Sequence, residues 1–366
     1  MGNYFGMLNK LRDHDGVTAI VVGIMLTIFL GLAAFVIDIG YSRVTKNELQ
    51  NIADGAALAA ARKLGVIYEP MSYTDIQSYD AADDEVSIKD IAIDVADKSK
   101  AGGKGNIIIN NDDIVIGTWD PSGTPKFNPT LNKPNAVQVT ARRDNIANGP
   151  ISTFFARVFG IDSTDVSADA TAALTGQSTA DEGGLPLPVG ISKAWFLNKE
   201  DFCNQPIKFY PTGTAEGCAG WNVYEENPSN ASKLRKTLQD LASGSYESPE
   251  TTAGQTEYDF TGGTVASAFS DMKALFDVMR IKNDGELDKD DDPNTWTTSV
   301  PVYDWQDCSN PNADILIIGF ATVVIDEILE TPDKIISAHV ICENIEPARG
   351  GGPQYGTWGS IPGLVE

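Results

Sequence analysis

Val17 to Ile37 reads VTAIVVGIMLTIFLGLAAFVI, 21 consecutive residues without a charge. At 1.5 Å per helical residue such a run is about 30 Å long, the thickness of a bilayer's hydrocarbon core. A cleaved secretory signal has a shorter apolar core and a small-x-small exit before a polar break. Here the run ends at Asp38 and a polar helical pattern follows directly, so the segment reads as an uncleaved signal anchor.

Lys10, Arg12 and the terminal amine precede the span, and Arg43 and Lys46 follow it, so positive charge alone decides orientation weakly. The cysteines carry more information. Cys203, Cys218, Cys308 and Cys342 all lie in the C-terminal half, an even number with no Cys-x-x-Cys pair and no histidine spaced to complete a zinc site. They predict two disulfides in an oxidising compartment, which places the bulk of the chain outside the cytoplasm and leaves residues 1–16 inside. Cys203 and Cys218 bracket a short loop and are expected to pair, leaving Cys308 with Cys342. Three connectivities are open to four cysteines.

Beyond the span, Leu49, Ile52, Ala53, Ala56, Ala57, Ala60 and Leu64 fall at the three-and-four spacing of one helical face, while Lys46, Glu48, Asn51 and Asp54 mark the other. The helix is expected to continue out of the bilayer as an amphipathic stalk and to stop at Gly65. Its small-residue stripe suits close packing against its own domain or, in an oligomer, against a second copy.

The same residues resemble a known family. A short charged leader ends in Asp15-Gly16, an apolar span follows, and then come Asp38-Ile39-Gly40 and the run LQNIADGAALAAA from Leu49 to Ala61. Residues 12–64 are similar to the N-terminal region of TadG-like proteins of the Flp (tight adherence) pilus assembly system. The resemblance implies an inner-membrane protein of pilus or secretion machinery, with its bulk in the periplasm, other machinery subunits as partners and no catalysis of its own. Asp38, Gly40, Gln50, Asn51, Asp54 and Ala57 match the family pattern and are the partner-contact candidates it implies. A related reading is a minor pilin or pseudopilin cut after Gly16. Pilins carry Glu at the fifth mature position, where this sequence has Val21.

Further along, Ile88 to Lys98 reads as a short helix, and Ile107 to Ile109, Ile114 to Trp119 and Ala136 to Ala141 read as strands of a small antiparallel sheet. Ile151 to Ile161 has helix-like spacing, and Ser163 to Leu174 alternates as a strand. The predicted organisation is therefore leader 1–16, transmembrane helix 17–37, TadG-like stalk and α+β domain 41–176, linker 177–184, β-rich extracytoplasmic domain 185–346 and irregular tail 347–366. The last domain should hold a helix from Ala231 to Ala242 and strands at Pro301 to Tyr303, Ile315 to Ile325 and Ile335 to Cys342. The fold class is α+β: a membrane helix continuing into a stalk helix packed on a small sheet, then a β-rich disulfide-bonded domain.

The charge balance, 27 Lys and Arg against 51 Asp and Glu for a formal −24, opposes nucleic acid as a partner. A nucleophilic triad needs a reachable His, yet His14 precedes the anchor and His339 sits in an alternating strand pattern. Gly102-Gly103-Lys104-Gly105 lacks phosphate-loop spacing and reads as a turn. Asp288, Asp290, Asp292 and Asn294 have the alternate spacing of a calcium loop, but Pro293 stands where an EF-hand needs Gly, so they form a weak cation candidate. Asp120-Pro121-Ser122-Gly123-Thr124 echoes a von Willebrand A metal motif without the α/β domain it requires, and reads as a turn between strands. Trp195, Phe196, Trp221, Tyr224, Trp296, Tyr303 and Trp305 are expected mostly in a core. A carbohydrate groove built from them, in an anchored cell-envelope binder or hydrolase, is the rival reading. No enzyme activity and no cofactor are expected.

Overall fold

The computed structural model describes residues 14–197, 199, 201–210, 217–224, 229–263, 265–281 and 292–365. The chain forms two compact units that interleave in sequence. The first takes residues up to Ala56 with Ala92–Ile114 and Val139–Ala170; the second takes Ala57–Ile91, Val115–Gln138 and Thr171 onward. The boundary expected between residues 176 and 185 is not where the chain divides.

Helix α1 (His14–Tyr68) runs unbroken for 55 residues, about 80 Å at the standard rise. Among the described residues it is the one helix long and apolar enough to cross a membrane, and no residue of its most apolar window is buried. Past the span the pattern of the surface changes as the sequence predicts: Leu49, Ile52, Ala53 and Ala56 are buried in the first unit and Ala57, Ala60, Ala61, Leu64 and Tyr68 in the second. The helix does not stop at Gly65. A Cβ there would lie 2.1 Å from the Ser360 carbonyl oxygen, so this glycine admits a neighbouring backbone and does not end the helix.

In the first unit, α3 (Glu85–Asp97, following the short α2, Tyr73–Ser78) contributes its C-terminal part, where Val95 meets the Cα side of Gly55. Lys100–Ala101 and Lys104–Gly105 form a tiny hairpin whose two central glycines have φ of +54° and +74°, the primed turn that glycine permits. Ile107 and Ile109 are buried, but no strand forms there. Instead the Asn148 side chain bonds both the N–H (2.9 Å) and the carbonyl (2.8 Å) of Ile108, doing what a partner strand would do. Ile151–Ser152 pairs with Ser163–Thr164, and the segment between them is a loop with one 3-10 turn, Ala156–Phe159, closed by Gly160 at φ +84°. The helix predicted over 151–161 is absent: Ile151 is buried, but the apolar residues from Phe154 to Ile161 mostly face outward.

A five-stranded sheet has the order β14-β4-β3-β1-β2, from β1 (Ile114–Trp119), β2 (Phe127–Pro129), β3 (Ala136–Arg143), β4 (Val166–Ala173) and β14 (Gly363–Leu364). Its strands β1, β3 and β4 are divided between the two units.

The second unit is dominated by a seven-stranded sheet ordered β6-β11-β10-β8-β7-β5-β9. Its members are β5 (Val189–Ser192), β6 (Pro206–Tyr210), β7 (Ala219–Trp221), β8 (Glu257–Thr261), β9 (Trp296–Tyr303), β10 (Asn312–Leu329) and β11 (Ile335–Ile341). Strand β10, 18 residues long, also pairs with β9, so the path from β9 through β5, β7 and β8 returns on itself. After the short α4 (Lys193–Leu197) comes α5 (Ala231–Ser243). Asn230 caps it by accepting from the Ser232 and Lys233 amides, Gly244 ends it in the left-handed region, and Leu234, Leu238 and Leu241 are buried. With α6 (Phe269–Met279) it adds to a core that contains Trp195, Phe196, Trp221, Tyr224, Trp296 and Tyr303. Trp305 packs half-buried against the same core. The aromatic residues that would have lined a carbohydrate groove are thus mostly interior.

Residues 347–366, expected to be irregular, are largely ordered. β12 (Asn344–Arg349) pairs in parallel with β13 (Thr357–Ile361), and β14 adds to the edge of β4 through Ala172 and Ala173. Thr179–Ala180, in the expected linker, pairs with Thr251–Thr252.

Both disulfides differ from the expected pairing: Cys203 bonds Cys342 and Cys218 bonds Cys308, across 139 and 90 residues. Sheet register is the reason. β6 and β11 run antiparallel with Pro206 opposite His339 and Ile207 opposite Ala338. Continued three residues back, that register puts Cys203 opposite Cys342. At the other bond, the Ser192 amide donates to the Cys218 carbonyl while its hydroxyl donates to the carbonyls of Trp305 and Asp307, drawing the segment after β9 to the start of β7.

Candidate functional site at the end of the apolar span

Three contacts tie the helix after the span to the rest of the first unit. Asp38 is buried, and its carboxylate accepts from the backbone amides of Phe154 (2.7 Å), Phe155 (2.9 Å) and Ala156 (2.6 Å). Burial pulls its pKa upward, and the donations from Phe154, Ala156 and Phe155 outweigh that, so the carboxyl stays below its ordinary range. About two and a half turns on, Glu48 accepts from the Gly102 amide at 2.7 Å. Buried Arg143 holds the same hairpin by donating to the carbonyls of Ala101, Gly102 and Gly149. Gln50 donates to the Asp169 carbonyl of β4 (2.9 Å) and to the Asp54 carboxylate (2.8 Å).

Two clefts flank this face. One, of about 530 Å³, is lined by Phe35, Asp38, Arg43, Lys46, Ile161 and Asp165 among others. The other, of about 760 Å³, includes Glu48, Asn51, Lys98, Lys100 and Asn106. Both are open, and their walls mix apolar surface with charged and hydrogen-bonding groups.

The six family-pattern residues are not one surface. Asp38 and Ala57 are buried inside the chain, Gln50 and Asp54 are half-buried and bonded to each other, and Gly40 and Asn51 are exposed. Ala57 also falls in the second unit, whereas the other five belong to the first. The sequence pattern missed Glu48 and Arg143 as partners of one hairpin, because they are 95 residues apart and the signal joining them is the turn Gly102-Gly103. It also missed the loop that Asp38 holds. A pair of aromatics, Phe154-Phe155, followed by Val158-Phe159, with Pro150 before and Gly160 inside, was the available clue.

The other candidates belong to the second unit. Asp292 accepts from the backbone and side chain of Asn294; Asp288 and Asp290 lie outside the described residues. Among the described residues no group of three or more His, Cys, Asp or Glu could hold a metal ion. Asp120 accepts from the hydroxyl and amide of Ser122, which hold its carboxyl below the ordinary range, as a turn between β1 and β2. His339 bonds Asp326 at 3.0 Å on β11, and Asp326 is its one bonded side-chain partner among the described contacts.

A long apolar helix running on into a body of sheets and helices with two disulfides defines an α+β protein with one helix long and apolar enough to cross a membrane. Residues 16–63 match the Flp pilus-assembly TadE/G-like family model, and residues 46–172 match that of Tad-like Flp pilus-assembly proteins. Together the two matches cover residues 16–172, a segment similar to Tad-type, TadG-like pilus-assembly proteins, with all six pattern residues inside it. No curated protein and no solved structure matches the chain.

Proposed function

We propose that the chain is a non-catalytic component of Flp/Tad-type pilus assembly or secretion machinery, anchored in the bacterial inner membrane and acting through protein contacts in the periplasm. The observation that carries this reading is the continuity of α1: one uninterrupted helix joins the apolar span to the Tad-type stalk, so whatever docks on the stalk is fixed relative to the bilayer. The N-terminus is cytoplasmic in this reading, because two disulfides need an oxidising compartment for residues 203–342. Of the family-pattern residues, exposed Gly40 and Asn51 offer the partner contact, with the cleft beside Asn51 as its groove. Asp38, Gln50 and Asp54 support that face from within the first unit.

Deleting the chain in a piliated strain should abolish surface filaments, and wild-type chain should restore them. Asn51→Trp, at an exposed site, should leave the protein abundant in membranes yet fail to restore filaments. Normal piliation without the chain would sink the proposal.

A further inference from the structure

We propose that the loop 153–162 lies in the lipid headgroup layer beside α1, giving the chain a second contact with the bilayer. The inference rests on the reading that residues 17–37 span the membrane. Five large apolar side chains of this loop are exposed: Phe154, Phe155, Val158, Phe159 and Ile161, with Val158 at 81% and Phe159 at 78%. Scattered exposed apolar residues are ordinary, but a contiguous set of five on an eight-residue stretch marks an interaction surface.

Its position along the helix identifies what covers it. The loop is fastened by three amides to Asp38, the residue that follows the last one of the apolar span. Phe154 meets the ring of Tyr41 edge-on at 5.5 Å, one helical turn further out. On the other side, Phe35, inside the span, lines the same cleft as Ala156 and Ile161. The loop is therefore held between the levels of residues 35 and 41, about 9 Å of helix. The polar layer on each side of the hydrocarbon core is about 5–7 Å thick, so a loop fixed at this height meets headgroups and the outer ends of acyl chains. Amphipathic elements bury their apolar side to about 5–10 Å there. Arg157, exposed and paired only loosely with Asp162 at 3.4 Å, stands among the apolar residues where phosphate groups would meet it. A protein partner has no such reason to seek this height, while the bilayer is present at it as soon as the anchor inserts.

The test uses the full chain in vesicles of phosphatidylethanolamine and phosphatidylglycerol, with a nitroxide placed singly through Val158→Cys, Lys98→Cys or Leu26→Cys. All four native cysteines are paired and take no label. Power-saturation measurements then compare collision with oxygen, which concentrates in lipid, and with a water-soluble nickel chelate. Position 26 should report the bilayer interior. Position 98, exposed just past the end of the helix whose Val95 meets Gly55 some 25 Å along α1 from Asp38, should report water. The proposal requires position 158 to favour oxygen over nickel, at a depth of about 5–10 Å. Nickel accessibility at 158 equal to that at 98, with 26 in the bilayer, overturns it and leaves the patch to a protein partner. Water exposure at 26 instead defeats the anchor reading, and the proposal with it.

Discussion

Gly65→Ala separates two roles for this residue. If it were only a solvent-facing position inside the helix, an added methyl would meet nothing, and the gain in helix propensity, about 1 kcal/mol, would stabilise the protein. In the structure the methyl meets backbone: its carbon would sit 2.1 Å from the oxygen, 2.9 Å from the carbonyl carbon and 3.1 Å from the Cα of Ser360. No side-chain rotation relieves this, because Ser360 belongs to β13, which is held in register by β12. The helix or the strand must move by roughly 1 Å, and overpacking of this kind costs about 1–3 kcal/mol. The shift would also disturb Arg62, which donates to the Ser360 carbonyl (3.2 Å) and hydroxyl (3.1 Å) and pairs with Glu69 at 2.8 Å. Set against the propensity gain, the net loss should be up to about 2 kcal/mol, or a fall in thermal midpoint of up to about 4 °C. The assay is thermal unfolding of the full chain in detergent micelles, followed by circular dichroism. Gly40→Ala, whose methyl meets nothing within 4 Å, is the control and should not lower the midpoint. A midpoint raised for Gly65→Ala by the full propensity gain, as far as for Gly40→Ala, would refute the packing role.

Asp38→Asn removes the charge that collects three amides, so hydrogen exchange at Phe154, Phe155 and Ala156 should speed up while α1 stays protected; uniform protection would contradict the tether. Because the folded carboxyl titrates below its ordinary value, the stabilisation it provides is present above about pH 4 and disappears as pH falls through the folded pKa. Protection at these amides should therefore be the same at pH 7 and pH 5. Cys203→Ala with Cys342→Ala opens a loop of 139 residues, worth up to about 5 kcal/mol by chain entropy. Lower stability than for wild type in urea checks it, and a non-reduced digest should link the Cys203 peptide to that of Cys342 and never to that of Cys218. Arg143→Ala should free the hairpin at 100–105, seen as new proteolysis there, with the span and the second unit intact.

The parts of the fold that were legible in the sequence are those decided locally. Twenty-one uncharged residues, the Ala-rich three-and-four stripe, β1 from Ile114 to Trp119 and the α5 face of Leu234, Leu238 and Leu241 each follow from one window of chain. What failed depends on partners far away. Gly65 resembles a helix stop until Ser360 arrives from 295 residues on. Cys203 and Cys218 look like a pair until the β6–β11 register sets Cys203 opposite Cys342. The apolar residues of 151–161 have helical spacing, yet Pro150, Gly160 and pairing of Ile151 with Thr164 turn the segment into a loop, and its exposed side chains have no core to face. The C-terminal residues, rich in Gly and Pro, seem to lack a pattern because their strands are completed by β12 and by Ala172 and Ala173. At the candidate site, the family pattern offers Asp38 and Gln50 as partner contacts, while their bonds run to Phe154, Phe155, Ala156 and Asp169 within the chain.

The most direct test of the anchored assembly component is the intact mass of the protein, without reductant, from the membrane fraction and from sheared surface filaments of the same cells. The account expects the uncut chain carrying two disulfides, in membranes and not in filaments. A species beginning at Val17 in the filament fraction would make the protein a pilin and contradict it.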